Sequence, residues 1–306
     1  MKRMTILCLC LALLLCGCFG SPPPQTGLYV VTTVFPAYDF ARQVVGDHGR
    51  VDLLLPLGGE AHGYEPTLQD LSAVQNCDVF IYNGGESDAF AEDLLAQCDL
   101  TDKTVIRMMD HVELLEAGEE HHHEGHEHSP HEADEHIWTA PQNGLLIAKA
   151  IGQEIKTADP ANGQDYEQNG QALYLQLQAL CDQYDVLSAA GDTPLLVADR
   201  FPFTYLTQRY HIPYAAAFSG CTSNTEADLH TVGQLIASAK EHRITTVLHT
   251  EFSDGVLAQT LADSVGAHTA IWHSCHNVSR QDFENGITYV ALMTRNLTLL
   301  KEALHL

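Results

Sequence analysis

The chain predicts an α/β fold of two lobes, each built on a parallel sheet and joined to the other by a long helix. Its 306 residues exceed one typical domain, and short apolar runs bounded by Gly, Pro or Asp alternate with helical stretches in both halves. Such alternation is typical of parallel sheets that carry helices on both faces. Ligands of these sheets bind beyond the carboxyl ends of the strands, so we expect a site in the cleft between the lobes.

The N-terminus is expected to lie outside the fold. Residues 5–15 form an apolar run that is too short for an ordinary transmembrane helix. The run ends in the sequence LCGC at residues 15–18, which resembles a bacterial lipobox. We therefore expect a lipoprotein signal peptide over residues 1–17, lipidation of the Cys18 thiol, and an extended tether over residues 18–26. The mature chain would be anchored at the extracytoplasmic face of the cell membrane; a plain secretory signal is the alternative.

The first lobe is predicted over residues 27–160, with buried strands separated by helices. Its strands are expected at residues 29–34, 51–55, 79–82 and 104–107, and its helices near 37–45, 67–75 and 89–97.

The connecting segment, residues 161–190, has a helical period that predicts a helix over residues 162–188. Its apolar residues recur every three or four positions, at Leu173, Leu177, Leu180, Tyr184 and Leu187. At 1.5 Å per residue this helix would be roughly 40 Å long, enough to run along both lobes. Gly163 and Gly170 each weaken it by roughly 1 kcal/mol, so an irregular beginning is expected. An ordinary surface helix of one lobe is the alternative.

The second lobe, residues 191–306, repeats the alternation. Its strands are expected at residues 194–198, 214–217, 246–251 and 269–272, and its helices near 203–209, 227–241, 255–265 and 282–303.

Charge and cysteine content limit the classes of function. A formal net charge of −25 argues against a nucleic-acid partner, because phosphate recognition needs clustered Lys and Arg. No CxxC motif is present that would indicate a thiolate zinc site or a redox pair. A disulfide between Cys221 and Cys275 is compatible with an exported protein, but the sequence leaves that pairing open.

Histidine is distributed unevenly, with 18 copies in the chain and eight of them between His111 and His136. The acidic run before His136 has no apolar residues to bury, so residues 117–133 are expected to form a mobile, solvated loop. Imidazole is a common ligand of zinc, so this loop is expected to collect cations weakly; a dispensable acidic loop is the alternative. Its histidines are His121, His122, His123, His126, His128 and His131.

His62 and His136 stand apart from that run, in sequence with a defined local structure. Each follows a predicted strand, and Pro66 and Pro141 restrain the backbone nearby. Loops of this kind converge on the cleft of an open parallel sheet. We therefore predict both histidines as metal ligands, although a hydrogen-bonded loop histidine is the alternative for either one alone.

Four motifs resemble the zinc and manganese solute-binding lipoproteins of ABC importers. They are VTTVFP at residues 31–36, AHGYEPT at 61–67, FIYNG at 80–84 and EHIW at 135–138, and the resemblance extends from about residue 29 to 304. A histidine-rich insert before the last motif resembles the zinc branch of that family. The resemblance implies two (β/α) lobes joined by a long helix, with one metal bound in the cleft by ligands from both lobes.

The third ligand position of that family, normally His or Glu, falls on Arg200. Guanidinium has no lone pair to donate and stays charged, so Arg200 cannot bind a metal. Two positive charges 4 Å apart repel by roughly 4 kcal/mol at an effective dielectric of 20, so Arg200 needs a carboxylate partner. We expect it to pair with Glu251 or Asp199 and to support the site from there.

The fourth family position, usually Asp, falls on His273, and His276 follows three residues later. The His-x-x-His spacing can place both imidazoles on one side of a turn, so both are candidate ligands, and one of them alone is the alternative. Cys275 is a weaker candidate. Three or four imidazoles suit tetrahedral zinc better than manganese, which prefers carboxylates.

The resemblance implies a monomeric, non-enzymatic protein that captures Zn²⁺ and delivers it to an ABC-transporter permease. Manganese binding within the same transporter class is the alternative. A zinc-dependent hydrolase is a more distant one, since no HExxH motif is present. A surface adhesin or a metal buffer would share the same site and differ in its partners.

Overall fold

The protein is described by a computed structural model over residues 27–61, 63–116, 133–218 and 229–306. Two four-stranded sheets, all of whose strands pair in parallel, form the centres of two lobes. The predicted fold class is therefore confirmed. Among these residues, every helix is too short or too polar to cross a membrane.

The N-terminal lobe has the strand order β2-β1-β3-β4. Every side chain of β1 is buried, as expected for an inner strand with helices on both faces. The strands are β1 (Leu28–Thr32), β2 (Gly49–Leu53), β3 (Val79–Tyr82) and β4 (Thr104–Arg107), and the helices are α1 (Phe35–Val45), α2 (Leu68–Asn76), α3 (Ala89–Leu95) and α4 (Pro141–Ala158).

Helix α2 begins at a capping box that fixes the chain after the AHGYEPT motif. Thr67 accepts hydrogen bonds from the backbone N–H of Gln69 and Asp70, and the Asp70 carboxylate accepts one from the Thr67 N–H. This reciprocal pair satisfies donors that a helix N-terminus otherwise leaves unpaired.

Helix α4 was not among the elements that we predicted from the sequence. Its buried face contains Ile147, Ile151 and Ile155, a four-residue spacing that does indicate a helix. Pro141 occupies its first turn, where a missing N–H costs nothing. The helical periodicity was therefore present in the sequence, although the prediction did not use it.

The connecting helix α5 (Gly163–Tyr184) continues into a 3₁₀ turn (Asp185–Ala189) and contacts both lobes. Near its start, the Asn169 side chain donates a hydrogen bond to the Val44 carbonyl of α1. At its end, the Tyr184 hydroxyl donates to the Met293 carbonyl in the C-terminal lobe. It is helical from Gly163 onward, so the irregular beginning that we expected is not observed.

The C-terminal lobe repeats the topology, with the strand order β6-β5-β7-β8. Its strands are β5 (Leu195–Val197), β6 (Tyr214–Ala216), β7 (Thr246–His249) and β8 (His268–Ile271), and its helices are α6 (Thr204–Tyr210), α7 (Leu229–His242), α8 (Val256–Val265), α9 (Arg280–Glu284) and α10 (Tyr289–Ala303).

The last predicted helix, residues 282–303, is two helices in the structure. Gly286 adopts φ +68°, a left-handed conformation that ends α9. Thr288 then caps α10 by accepting a hydrogen bond from the Ala291 N–H. The two-helix arrangement brings Tyr289 over the first lobe, where its N–H donates to the buried Asp39 carboxylate.

One hydrophobic core spans the two lobes and the connecting helix, from Val30 in β1 to Leu300 in α10. A second, smaller core lies within the C-terminal lobe and includes Leu196 and Leu261. In the C-terminal lobe, the segments that follow β5, β7 and β8 supply Arg200, Thr250 and Ser274 to the cleft between the lobes, as expected for an open parallel sheet.

Candidate metal centre

A small cavity of about 50 Å³ lies between the lobes. The N-terminal lobe contributes Glu60 and His136 to its lining. The C-terminal lobe contributes the remaining residues: Arg200, Pro202, Thr250, Glu251, Phe252, Ser274 and His276. A space of this size holds an ion with a few ligands or waters rather than an organic substrate.

His136 is held by a buried carboxylate two residues before it. The Asp134 Oδ1 atom accepts hydrogen bonds from the His136 backbone N–H at 2.8 Å and lies 3.0 Å from His136 Nδ1. Because the carboxylate requires Nδ1 to donate, Nε2 is the nitrogen that carries the lone pair in the neutral ring. A carboxylate on the far nitrogen is a common way of orienting a metal-binding histidine.

Asp134 stays ionised in this buried position. Burial alone would raise the pKa of Asp134, but hydrogen bonds from His136 and Thr204 outweigh burial and hold that pKa below its ordinary value. The Asp134 carbonyl also accepts a hydrogen bond from the Tyr205 hydroxyl of α6 at 2.8 Å. The segment that carries His136 is therefore also bonded to the C-terminal lobe.

The neighbouring Glu135 attaches the same segment to the loop after β3. The Asn83 side-chain amide donates to the Glu135 carbonyl at 2.9 Å, and the Ser87 backbone N–H donates to the Glu135 carboxylate at 2.9 Å. A Cβ on Gly85 would lie 2.5 Å from the Glu135 side chain, so only glycine permits this approach. Nearby, burial raises the pKa of Asp88 to about 7, although Thr33, Gly84 and Asn83 donate to its carboxylate.

His276 reaches the cavity from the opposite lobe. The Trp138 indole centroid lies 5.8 Å from the His136 ring and 5.7 Å from the His276 ring. Trp138 also joins the two lobes directly, since its Nε1–H donates to the Ser274 carbonyl at 2.8 Å. Two of the predicted ligands, one from each lobe, thus border the same cavity and the same indole.

His273 is half-buried beside the cavity, with 15% of its side chain exposed, but does not line it. Its Nδ1 accepts a hydrogen bond from the Cys275 backbone N–H at 2.9 Å, so Nε2 carries the proton in the neutral ring. The Glu251 carboxylate lies 3.3 Å from the same Nδ1. An ion pair with Glu251 would need a proton on Nδ1, and the hydrogen bond from the Cys275 N–H excludes that proton. Burial also lowers the pKa of His273, which favours the neutral ring.

Glu251 instead shapes the turn that carries His276. Its carboxylate accepts hydrogen bonds from the Ser274 backbone N–H at 2.8 Å and from the Ser274 hydroxyl at 2.7 Å. The Ser274 hydroxyl oxygen in turn accepts a hydrogen bond from the His276 N–H at 3.2 Å.

Cys275 lies inside this turn as a free and fully buried thiol, with φ 62°. Burial raises the pKa of the Cys275 thiol well above its ordinary value, which disfavours the thiolate that a metal would require. It is not in a disulfide; Cys221, the partner that we considered, lies outside the described residues.

The prediction that Arg200 pairs with Glu251 or Asp199 is wrong. Its guanidinium Nη1 lies 2.7 Å from Glu60 of the opposite lobe, and not against Glu251 or Asp199. The Asp199 carboxylate is occupied by the backbone N–H of Arg200 itself and by Thr250. A carboxylate does neutralise Arg200, as expected, but the ion pair crosses the cleft.

His62, the histidine-rich loop and Cys18 fall outside the described residues, so the structure does not test their predicted roles. Within the described ranges, no group of three or more His, Cys, Asp or Glu side chains has a metal-binding arrangement, a result that leaves out His62. Asp134 and Glu60 were absent from the predicted site. Each stands two residues before a predicted ligand histidine, and that proximity was the available signal.

Comparison with known proteins places the chain near zinc-uptake proteins. The family described as ZnuA, zinc-uptake complex component A periplasmic, matches residues 30–303. The high-affinity zinc uptake system protein ZnuA of Bacillus subtilis is 30% identical over 280 residues, which cover 90% of this chain and 88% of that protein. The zinc-binding lipoprotein AdcA of Streptococcus pneumoniae is 28% identical over 306 residues, and the match spans only 61% of that longer protein.

Solved structures show the same architecture. The Zn(II)-bound ZnuA-like domain of Streptococcus pneumoniae AdcA superimposes with a TM-score of 0.77 at 26% identity, covering 92% of this chain and all of that domain. The metal-dependent lipoprotein YcdH of Bacillus subtilis gives a TM-score of 0.77 at 27% identity and covers 90% of this chain and 99% of its own.

Proposed function

This chain belongs to the ZnuA family of periplasmic zinc-uptake components, and from that premise we propose that it captures Zn²⁺ between its lobes and delivers it to an ABC importer. The observation that carries the proposal is the pair of histidines from opposite lobes, His136 and His276, that line one cavity. Imidazole nitrogens at such a junction suit a borderline dication such as zinc. Manganese is the less favoured cargo, because it prefers carboxylate oxygens.

We propose His62, His136 and His276 as the protein ligands. His62 follows Glu60, which lines the cavity, by two residues. His273 is the weaker candidate for the remaining position, since its Nδ1 is engaged by the Cys275 N–H and its Nε2 must lose a proton before it can bind. A water molecule or a nearby carboxylate would complete a tetrahedral site around three histidines.

The Glu60–Arg200 ion pair makes the site compatible with a dication despite the guanidinium in its wall. Arg200 alone would repel zinc, whereas the carboxylate at 2.7 Å offsets that charge. The net charge of −25 also attracts cations to the protein as a whole.

Anchoring and delivery follow from the same family membership. We propose that Cys18 is lipidated, that the mature chain acts as a monomer outside the cytoplasmic membrane, and that its partner is a permease. The histidine-rich loop would raise the local concentration of zinc near the cavity. The related proteins named above are described as zinc-uptake or zinc-binding proteins, which favours transport over hydrolysis.

Metal analysis of the protein without residues 1–25 tests this proposal. We expect one tightly bound zinc per chain, loss of that zinc in the double variant His62→Ala/His136→Ala, and retention when residues 119–131 are deleted. His48→Ala/His268→Ala is the matched control, because these histidines pair with Asp165 and Glu302 away from the cavity. Tight zinc binding that survives in His62→Ala/His136→Ala would refute the site.

A further inference from the structure

The chain that leads to His62 forms a tight turn at Pro56–Gly59. The Gly59 N–H donates to the Pro56 carbonyl at 2.8 Å, and Gly58 has φ +77°. A β-turn with a left-handed third residue is of the type II form, which favours glycine there. The turn ends at Glu60, which lines the cavity and pairs with Arg200.

This turn is bonded to the C-terminal lobe rather than only to its own lobe. The Asn277 side-chain amide donates to both the Pro56 and the Gly59 carbonyls, each at 2.8 Å. In the opposite direction, the Gly58 N–H donates to the Val278 carbonyl at 3.0 Å. Three hydrogen bonds therefore join this four-residue turn to a residue pair 218 or more positions away.

The orientation of the Asn277 amide is determined by its surroundings. Its Oδ1 accepts a hydrogen bond from the Val278 N–H at 2.8 Å, so the NH₂ group must face the two carbonyls. The residue is fully buried, and both amide hydrogens are used. Replacing it would remove the donor that the Pro56 and Gly59 carbonyls share.

Asn277 directly follows His276, and the backbone of His276 is also tied to the N-terminal lobe. The Phe35 N–H at the start of α1 donates to the His276 carbonyl at 3.0 Å. The turn carrying His276 and the turn leading to His62 are thus held together by contacts that involve no metal.

We propose that Asn277 is a positioning residue for the metal centre, which sets the separation between the Pro56–Gly59 turn and the turn carrying His276 before zinc arrives. This inference rests on the proposed function, because it concerns how the ligands of that site are aligned. Its physical basis is preorganisation: a site already assembled spends less of its binding free energy on ordering its ligands. Supporting residues of this kind commonly change metal affinity by about 10- to 100-fold.

Zinc affinity and the visible spectrum of the Co²⁺-substituted protein test the proposal in Asn277→Ala and Asn277→Asp. We expect zinc affinity to fall about 10- to 100-fold, with a changed Co²⁺ ligand-field spectrum that reports altered ligand geometry. Asn169→Ala is the matched control: it removes a side-chain bond to the Val44 carbonyl, neither residue lines the cavity, and we expect wild-type affinity and spectrum.

Hydrogen exchange of the metal-free wild-type protein gives a second measurement that does not depend on whether a variant folds. The Gly58 amide should be protected if the turn is bonded to Val278 before metal binds. An unprotected Gly58 amide, or Asn277 variants with wild-type affinity and spectrum, would overturn the inference while leaving zinc capture intact. Failure of the wild-type protein to bind zinc would overturn the proposed function and this inference with it.

Discussion

The two lobes present their histidines to the cavity in different ways. Among the described residues of the N-terminal lobe, His136 lines the cavity and has its Nδ1 against the buried Asp134 carboxylate. In the C-terminal lobe, two histidines three residues apart lie on one turn, and only His276 lines the cavity. His273 has its Nδ1 bonded to the backbone of that same turn.

We infer from this difference that the hydrogen-bond partner of Nδ1 decides which of these histidines can offer Nε2 to a metal. A carboxylate on Nδ1 accepts a proton and leaves Nε2 as the lone-pair nitrogen, whereas a backbone N–H on Nδ1 has the opposite effect. The side chains of His136 and His273 are 10% and 15% exposed, so the difference in burial is too small to separate them.

The largest expected effect separates the two histidines of the C-terminal lobe. His276→Ala removes a proposed ligand and should weaken zinc affinity by more than about 100-fold, beyond the effect of most supporting residues. His273→Ala should change affinity by less than about tenfold, because it removes a neighbour of the site. Competition with a zinc chelator measures both affinities. A larger loss in His273→Ala than in His276→Ala would contradict the proposed difference between the two histidines.

The next effect tests the N-terminal lobe. Asp134→Asn removes the charge and the obligate acceptor beside His136 Nδ1, so zinc affinity should fall about 10- to 100-fold. Asp110→Asn is the control, because Asp110 is an exposed carboxylate paired with Arg107. Zinc affinity in Asp134→Asn equal to that of the control would show that this carboxylate does not orient the ring.

The smallest effect concerns the ion pair that crosses the cleft. Removing the guanidinium in Arg200→Ala leaves Glu60 facing the cavity and should raise zinc affinity a few-fold, whereas Glu60→Gln leaves the cation uncompensated and should lower it. Because both side chains are partly exposed, their coupling in a double-mutant cycle of unfolding should be only about 0.2–1 kcal/mol. Changes of the same sign in both single variants would contradict this electrostatic account.

Local signals were sufficient for much of the fold. Strand β3 was predicted with its observed bounds, since a short apolar run between the polar residues Asp78 and Asn83 is typical of a buried strand. The period of Leu173, Leu177 and Leu180 located the connecting helix for the same reason. The break at Gly286 was missed because the apolar pattern on either side of it resembles one continuous helix.

The sequence by itself determined the α/β class, the two lobes and their connecting helix, because these depend on periodicity and on neighbours a few positions away. It also predicted His136 as a ligand, and the structure places that residue in the wall of the cavity. Only the tertiary structure decided that His276 rather than His273 lines the cavity, that Arg200 pairs with Glu60, and that Asn277 joins the lobes. Those contacts are set by the packing of one lobe on the other across 136 to 221 residues of sequence, as in Trp138 with Ser274 and Asn277 with Pro56. No local pattern encodes such distances, since they depend on how two separately built sheets meet.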